Sequence, residues 1–170
     1  MAEPWEEQVA EAIVTNLRSI VGGDGQSVGA DGYWHKPDIV ERTRAIEDKR
    51  VLDERYNTIY ALAPVSMTSE ESTTREVGKV ITIDFLLARK HKHPDDPYHA
   101  QAPIPWTVQN RLWHDLERKI LADVTLGGLV ENVNFGEVVF AAESTYVAGW
   151  AIVIGQLLPT EILEIDEEDD

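Results

Sequence analysis

An alternating run of apolar residues near the middle of the chain constrains the fold most strongly. Within residues 77–89, one set of alternate side chains is large and apolar: Ile81, Ile83, Phe85 and Leu87. Successive side chains of a strand point to opposite faces of a sheet, so this pattern predicts a strand with one buried face. The intervening set is more mixed: Thr82, Asp84 and Leu86. The buried face has to pack against a second layer of structure.

Four further segments have strand character, which predicts a sheet of about four to five strands. They are residues 33–44, 56–67, 131–143 and 146–158. Residues 46–55 are of mixed charge and predict a projecting loop or a short helical turn, and the polar residues 68–76 predict a turn. Both segments could project as arms or be solvated hairpin tips. In the last strand, large residues such as Trp150 alternate with small ones. Either the large set faces helices and the small set a neighbouring chain, or both faces are packed within one chain.

Two amphipathic segments predict helices. Residues 5–20 and 107–124 both repeat apolar side chains at helical spacing, and Gly22-Gly23 and Gly127-Gly128 follow them as stop signals. At least one glycine of the second pair is expected to need a positive φ. The resulting order is α-β-β-β-α-β-β. This order predicts an α+β fold, with an antiparallel or mixed sheet and two helices packed on one of its faces.

The remaining segments divide into a loop and a tail. Residues 22–32 contain five glycines and predict a flexible loop. Seven of the last ten residues are acidic, so residues 161–170 predict a disordered acidic tail. The rest of the chain, residues 1–160, is expected to form a single domain.

The charge balance excludes a class of partner. The sequence has 15 lysines and arginines against 31 aspartates and glutamates, a net charge of −16. A body this acidic lacks the basic patch that binding to nucleic-acid phosphates requires.

The absence of cysteine excludes thiol catalysis, thiolate zinc sites and iron–sulfur clusters. No apolar run reaches the roughly 18–20 residues needed to cross a bilayer, and the N-terminal residues are acidic where a secretory signal is basic. We therefore expect no membrane segment and synthesis in the cytoplasm.

Motifs for catalysis are also missing from the sequence. The glycines at 22–25 follow a predicted helix and lack the Lys and Ser/Thr of a phosphate-binding loop. No serine occupies a Gly-x-Ser-x-Gly elbow. His35 and His114 are isolated, and acidic pairs such as Glu70-Glu71 fall in polar segments where carboxylates are solvated. The sequence therefore predicts a protein that is not an enzyme and has no cofactor.

One segment has the composition of a metal site. Imidazole and carboxylate groups are ordinary ligands of zinc, nickel or manganese, and five lie close together: His91, His93, Asp95, Asp96 and His99. Pro94 and Pro97 constrain the backbone there, and the helical His-x-x-x-His spacing of catalytic sites is absent. A solvated loop is the alternative interpretation.

Two tryptophans and two charged segments are candidates for contact with partners. Trp34 and Trp106 lie at junctions between loops and regular elements, where an aromatic side chain anchors a loop or faces a partner. The predicted projecting segments add further interface candidates: Glu47, Asp48, Lys49, Arg50, Glu70 and Glu71.

The order of elements and two short motifs indicate a family. A glycine-rich loop ends in Ala30-Asp31-Gly32-Tyr33 before the first predicted strand, and the second helix runs into Asp123-Val124-Thr125-Leu126-Gly127-Gly128-Leu129-Val130. With two closing strands, this arrangement resembles the tail terminator and tail-completion (minor tail) proteins of long-tailed bacteriophages. The similarity in element order covers residues 5–158, and the two motifs carry the similarity in sequence.

The resemblance implies a structural subunit of the virion that forms a homo-oligomeric ring, commonly a hexamer, on the head-proximal end of the tail. Such a ring ends polymerisation of the tail tube and docks to the neck or connector protein. Its partners would be the tail tube protein, the sheath if the tail is contractile, and the neck. DNA would pass through the lumen without specific binding, since an acidic wall repels phosphates.

Three alternatives stay open at this point. The chain could be a neck or other tail-completion component of the same virion. It could instead be a metal-binding enzyme or module that uses the segment from His91 to His99. A third alternative is an acidic interaction domain that mimics nucleic acid and binds a basic partner.

Overall fold

A computed structural model describes residues 3–46, 51–71, 76–90, 105–141 and 149–164 of the chain. Two helices and five strands occur there in the predicted order α-β-β-β-α-β-β. Their bounds are α1 Trp5–Arg18, β1 Ile39–Arg42, β2 Thr58–Glu71, β3 Glu76–Lys90, α2 Pro105–Leu121, β4 Asn132–Phe140 and β5 Trp150–Glu164. The predicted α+β class is confirmed.

The strands form one mixed sheet in the spatial order β1-β2-β3-β5-β4. β1 runs parallel to β2, and the other three neighbouring pairs are antiparallel. β3 occupies the centre and pairs with β5 from Lys90 opposite Trp150 to Glu76 opposite Glu164, with a break at Ile81 and Thr82. The two edges of the sheet are therefore the short strand β1 and the longer strand β4.

Both helices pack on the same face of the sheet, as predicted. The alternate apolar residues of β3 point to that face, and their partners include Ile13 and Leu17 of α1 and Leu112 and Leu116 of α2. All four of these helical side chains are fully buried. The helical periodicity of the two segments therefore corresponds to the stripe that each helix buries against the sheet.

The opposite face of the sheet is also covered. Ile59, Leu86 and Trp150 form a second apolar cluster there with Ile46 and Val51, which lie between β1 and β2. Ile46 and Val51 are both buried. Residues 46–55 were expected to form a projecting loop or a short helical turn. Ile46 and Val51 instead pack against the sheet, because they cover strand side chains that would otherwise face water.

The orientation of β5 decides between the two interpretations of its alternating side chains. Trp150 and Ile152 lie in the second cluster, away from the helices, while Ala151, Val153 and Leu157 face the helices. Of the two interpretations, the one in which the large residues face the helices is wrong. The other is confirmed: both faces of this strand are packed within one chain, and the smaller set faces the helices.

The first strand is shorter than predicted. Only Ile39–Arg42 pairs as a strand, whereas residues 33–44 were expected to do so. The backbone N–H groups of Trp34 and His35 donate to the side chain of Asp115 on α2. Hydrogen bonds to a helix side chain therefore replace strand pairing in this part of the segment.

The β2–β3 hairpin and β5 are longer than predicted. Residues 68–76 were expected to be a polar turn, but β2 continues to Glu71 and β3 begins at Glu76. β5 continues to Glu164, so four residues of the predicted acidic tail pair with β3. Backbone pairing does not depend on side-chain polarity, and polar residues are tolerated where a sheet is exposed on its faces.

The glycine pair after α2 has a different role from the one expected. α2 ends at Leu121, so Gly127 and Gly128 do not cap the helix itself. They form a later turn in which Leu126, Gly127 and Gly128 have φ values of 49°, 70° and 95°. The expectation of a positive φ is confirmed for both glycines. The turn directs the chain into β4.

Candidate interaction surface

The glycine-rich loop of residues 22–32 is held in place by arginines from distant elements. The Arg89 guanidinium, on β3, donates to the carbonyl oxygen of Asp24 at 2.9 Å. Arg111, on α2, donates to the carbonyl oxygen of Gly25 at 2.6 Å. Hydrogen bonds from charged donors are among the stronger ones in proteins. These two hydrogen bonds tie the loop to β3 and α2.

Close backbone contacts also require glycine in this loop. A Cβ atom added at Gly22, where φ is +65°, would lie 2.3 Å from the backbone nitrogen of Lys36. The Asp31 carboxylate accepts hydrogen bonds from the backbone N–H groups of Val21 and Gly22, at 2.7 and 3.1 Å. The glycines thus allow one strand of backbone to pack directly against another.

Trp34 anchors this loop rather than standing free as an interface residue. Its indole is half-buried, and the Arg111 guanidinium lies 4.1 Å from the centre of its ring system. Cation–π stacking of this kind holds both groups in place. Trp106, by contrast, is 60% exposed near the start of α2. Of the two predicted tryptophans, Trp106 is the one whose side chain is open to a partner.

A buried polar pair connects the loop to α2. Asp115 is fully buried and accepts N–H groups of Trp34 and His35 at 2.9 Å each. Burial raises the pKa of Asp115 to about 6, although the two backbone donors oppose that shift. His35 is only 2% exposed, and burial together with Arg89 and Arg111 lowers its pKa to about 3.

This pair lacks the geometry of a catalytic dyad. Neither ring nitrogen of His35 has a hydrogen-bond partner among the described residues, and Asp115 contacts only the backbone of His35, not its ring. Sequence reasoning treated His35 as a surface or partly buried residue and did not identify Asp115. The available signal was position, since Asp115 interrupts the apolar stripe between Leu112 and Leu116.

The outer part of β2 is exposed. Beyond Pro64, residues 65–69 of β2 are all exposed. Val65 and Met67 are apolar and are 50% and 43% exposed. Glu70 and Glu71 continue β2 to its end, where they pair with Gly78 and Val77. The two predicted acidic interface residues therefore lie on an extended strand rather than in a turn.

A shallow groove of about 540 Å³ lies beside the start of this exposed segment. Glu7, Arg42, Thr43, Arg44 and Pro64 line it. Arg42 makes ion pairs with Glu7 and Glu11 at 2.7 and 3.2 Å. These pairs are partly exposed, so they contribute little to stability. They hold the side chain of Arg42 above the end of β1.

Other predicted site residues lie outside the described part of the chain. These are the charged residues Glu47, Asp48, Lys49 and Arg50 and the metal candidates His91, His93, Asp95, Asp96 and His99. Within the ranges that the structure describes, no group of three or more histidine, aspartate or glutamate side chains is arranged to hold a metal ion. Neither α1 nor α2 is long and apolar enough to cross a membrane.

Comparison with known proteins adds no family assignment. No protein-family model matches this chain, and no curated protein matches it in sequence.

Proposed function

We propose that this chain is a structural subunit of the virion of a long-tailed bacteriophage. It acts at the head–tail junction as a tail terminator, in a homo-oligomeric ring that caps the tail tube, ends its polymerisation and docks to the neck. The protein works through shape and contact, without catalysis or a cofactor. DNA passes through the ring without specific binding.

The observation that carries the proposal is the exposed outer part of β2, residues 65–69. Beyond the first residue of β4, strands β2, β3 and β5 continue as a three-stranded extension, down to the Glu71–Val77 and Glu76–Glu164 pairs. Exposed apolar side chains such as Val65 and Met67 at the edge of a sheet are typical of a surface that meets another chain. A subunit that joins a ring to a tube needs such a surface.

Two further features support the same proposal. The element order from which the family resemblance was drawn is the order of the folded chain. The D-x-T-L-G-G-L-V motif forms a defined turn, in which the Gly127 and Gly128 N–H groups donate to Asp123 and Thr125 at 3.2 and 3.0 Å. The motif therefore has a structural reason for its glycines.

The proposal is tested first by the mass of the purified full chain in solution. We expect light scattering after gel filtration, at two protein concentrations, to give a mass near six subunits, and negative-stain images to show rings. Addition of tail tube protein during its polymerisation should then shorten the tubes. A monomer at both concentrations that neither binds the tube nor changes its length would contradict the proposal.

A further inference from the structure

In one row of paired residues across the sheet, the outermost strand on each side has no further strand beside it among the described residues. Thr68 of β2, Val80 of β3, Thr160 of β5 and Asn132 of β4 form one row of partners across the four strands. β1 does not reach this row, because its pairing with β2 ends at Arg42 opposite Leu62. At this level β2 and β4 are therefore the outermost strands among the described residues.

Beyond the end of β1, the side of β2 that faces away from β3 has backbone groups that no described strand pairs with. Asp38 and Thr43 donate to the carbonyls of Thr58 and Leu62, so the even-numbered residues of β2 face β1. The pairing of β2 with β3 shifts by one residue between Pro64 and Ser66. After this shift, the backbone groups of odd-numbered residues such as Met67 face outward.

This part of the β2 edge lacks the usual protection against pairing. Residues 65–69 have the sequence Val-Ser-Met-Thr-Ser, without a charge or a proline. Natural sheets cover or charge such edges, because an open, uncharged edge binds the strand of another chain. Two of these residues, Val65 and Met67, also expose apolar surface.

The open edge of β4 has the same character at its beginning. Residues 132–135, Asn-Val-Asn-Phe, are uncharged, and the irregularity in pairing and Glu137 come only after them. Ala141 donates to Ile152, so the even-numbered residues of β5 face β4. Asn132 and Asn134 lie opposite Thr160 and Leu158, so their backbone groups face β5 and those of Val133 and Phe135 face outward. Each edge thus has outward N–H and C=O groups at the level of the row that no described residue pairs with.

We propose that the β2 edge of one copy of this chain pairs with the β4 edge of a second copy. Three antiparallel steps separate β2 from β4 within one sheet, so the two strands run in opposite directions. A second copy placed alongside in the same orientation therefore brings its β4 antiparallel to β2. The two surfaces of this contact differ, and such head-to-tail contacts generate a closed ring when the rotation between neighbouring copies closes. The inference rests on the proposed ring and names the contact that builds it.

Engineered cysteines provide a direct test, because the chain contains no thiol of its own. Thr68→Cys and Asn132→Cys replace exposed polar residues on opposite edges of the sheet. Within one copy they are three strand spacings apart, about 14 Å, whereas a disulfide needs Cα atoms within about 7 Å. A disulfide between these positions must therefore join two copies.

The double variant, oxidised at the concentration where the wild type shows its full mass, should give a ladder of covalent oligomers on a non-reducing gel. The largest band should correspond to the closed ring. Ser66→Cys with Asn132→Cys, and Thr68→Cys with Asn134→Cys, test the two neighbouring registers, since all four side chains lie on the same face. Ser66→Cys with Asn134→Cys tests the first register a second time. Each single-cysteine variant is the matched control. After oxidation it should run as a single chain on the same non-reducing gel.

The other outcomes each contradict a defined statement. If the wild type has the mass of a ring but no double-cysteine variant gives a ladder, the edge contact is overturned and the proposed function stays in place. Covalent dimers from a single-cysteine variant would show symmetric pairing of like edges. A monomeric wild type without a ladder contradicts the ring and the contact together.

A proline variant tests the backbone contribution separately. Met67→Pro removes an N–H group that faces outward and is not used within the sheet, so the fold should persist and the solution mass should fall to that of a monomer. Met67→Ala removes the side chain but keeps the N–H, and should retain most of the assembly. Equal masses for wild type and Met67→Pro, with unchanged melting temperatures, would contradict pairing at this edge.

Discussion

Removal of the Asp115 carboxylate should destabilise the chain more than any surface substitution on the same helix. The carboxylate is fully buried and accepts the backbone N–H groups of Trp34 and His35 at 2.9 Å each. In Asp115→Ala both donors lose their partner. Each buried, unsatisfied N–H costs about 1–3 kcal/mol, and the loss of a buried carboxylate returns part of that cost. We expect a net loss of about 2–4 kcal/mol in the free energy of unfolding.

The more conservative change to asparagine separates the contribution of the hydrogen bonds from that of the buried charge. One carboxylate oxygen of Asp115 lies 3.0 Å from the Trp34 nitrogen and 2.9 Å from the His35 nitrogen. An asparagine oxygen in that place can accept both bonds, while its NH₂ group faces the Trp34 donor and gains nothing. Asp115→Asn should therefore cost about 1 kcal/mol. Asn110→Ala, at an exposed position of α2, is the control and should stay within about 0.5 kcal/mol of wild type.

The pH dependence gives this prediction a second readout. Burial raises the pKa of Asp115 to about 6, above its ordinary value near 3.8. The folded state therefore favours the protonated acid, and the stabilisation that this provides is lost as the pH rises from about 4 through 6. Asparagine does not titrate. The stability of wild type relative to Asp115→Asn should thus fall over this range.

Urea denaturation followed by far-ultraviolet circular dichroism, at several pH values, measures these differences. For a chain of this size, the loss in Asp115→Ala corresponds to a melting temperature lower by roughly 5–15 °C. A loss below 0.5 kcal/mol in Asp115→Ala, or an equal loss in the alanine and asparagine variants, would refute the role given to the two hydrogen bonds.

Three further predictions concern other parts of the core and its turns. Gly128→Val places a β-branched residue at a φ of 95°, and should lower the free energy of unfolding by about 1–2 kcal/mol, while Gly128→Asn should cost less; equal melting temperatures for both variants would contradict the need for glycine. In Gly155→Ala the new methyl group would lie 2.5 Å from the Phe85 ring, so thermal denaturation should show a loss of about 1–3 kcal/mol. The pKa of His35 is lowered to about 3, so the folded state disfavours the protonated ring. Wild type should therefore lose stability relative to His35→Asn as the pH falls from 6.5 toward 3, by up to about 1.4 kcal/mol per pH unit. Parallel pH profiles of stability for the two proteins would contradict the burial of His35.

The parts of the fold that depend on local periodicity could be predicted from the sequence. The alternation in β3 identified Ile83 and Phe85 as core residues, and both are buried against the helices. A period of two does not say which face of a sheet receives the helices, and the alternation in β5 left two interpretations of Trp150 open for that reason. That face is set by the helices, which come from other parts of the chain.

The glycine-rich loop shows why local composition was insufficient. Five glycines within residues 22–32 predict freedom, because glycine has the largest backbone entropy to lose. The residues that immobilise the loop are Arg89, Arg111 and Arg118, which lie far along the chain and donate to its carbonyl oxygens. In an acidic protein these arginines stand out by charge, but their targets are backbone atoms, which leave no trace in sequence.

The proposed contact surface is hidden from sequence reasoning for the same reason. Every residue except proline carries the same N–H and C=O groups, and only the topology decides which strand becomes an edge. Sequence analysis selected charged residues of the hairpin, Glu70 and Glu71, because charge is visible in a sequence. The proposed contact lies nearby, around Thr68 on the β2 edge and Asn132 on the β4 edge. The informative feature there is the absence of charge and of proline. Such an absence acquires meaning only once the sheet order shows that both strands end the sheet at this level. An edge without protection costs a lone subunit solubility, and a subunit that closes into a ring buries that edge on both sides.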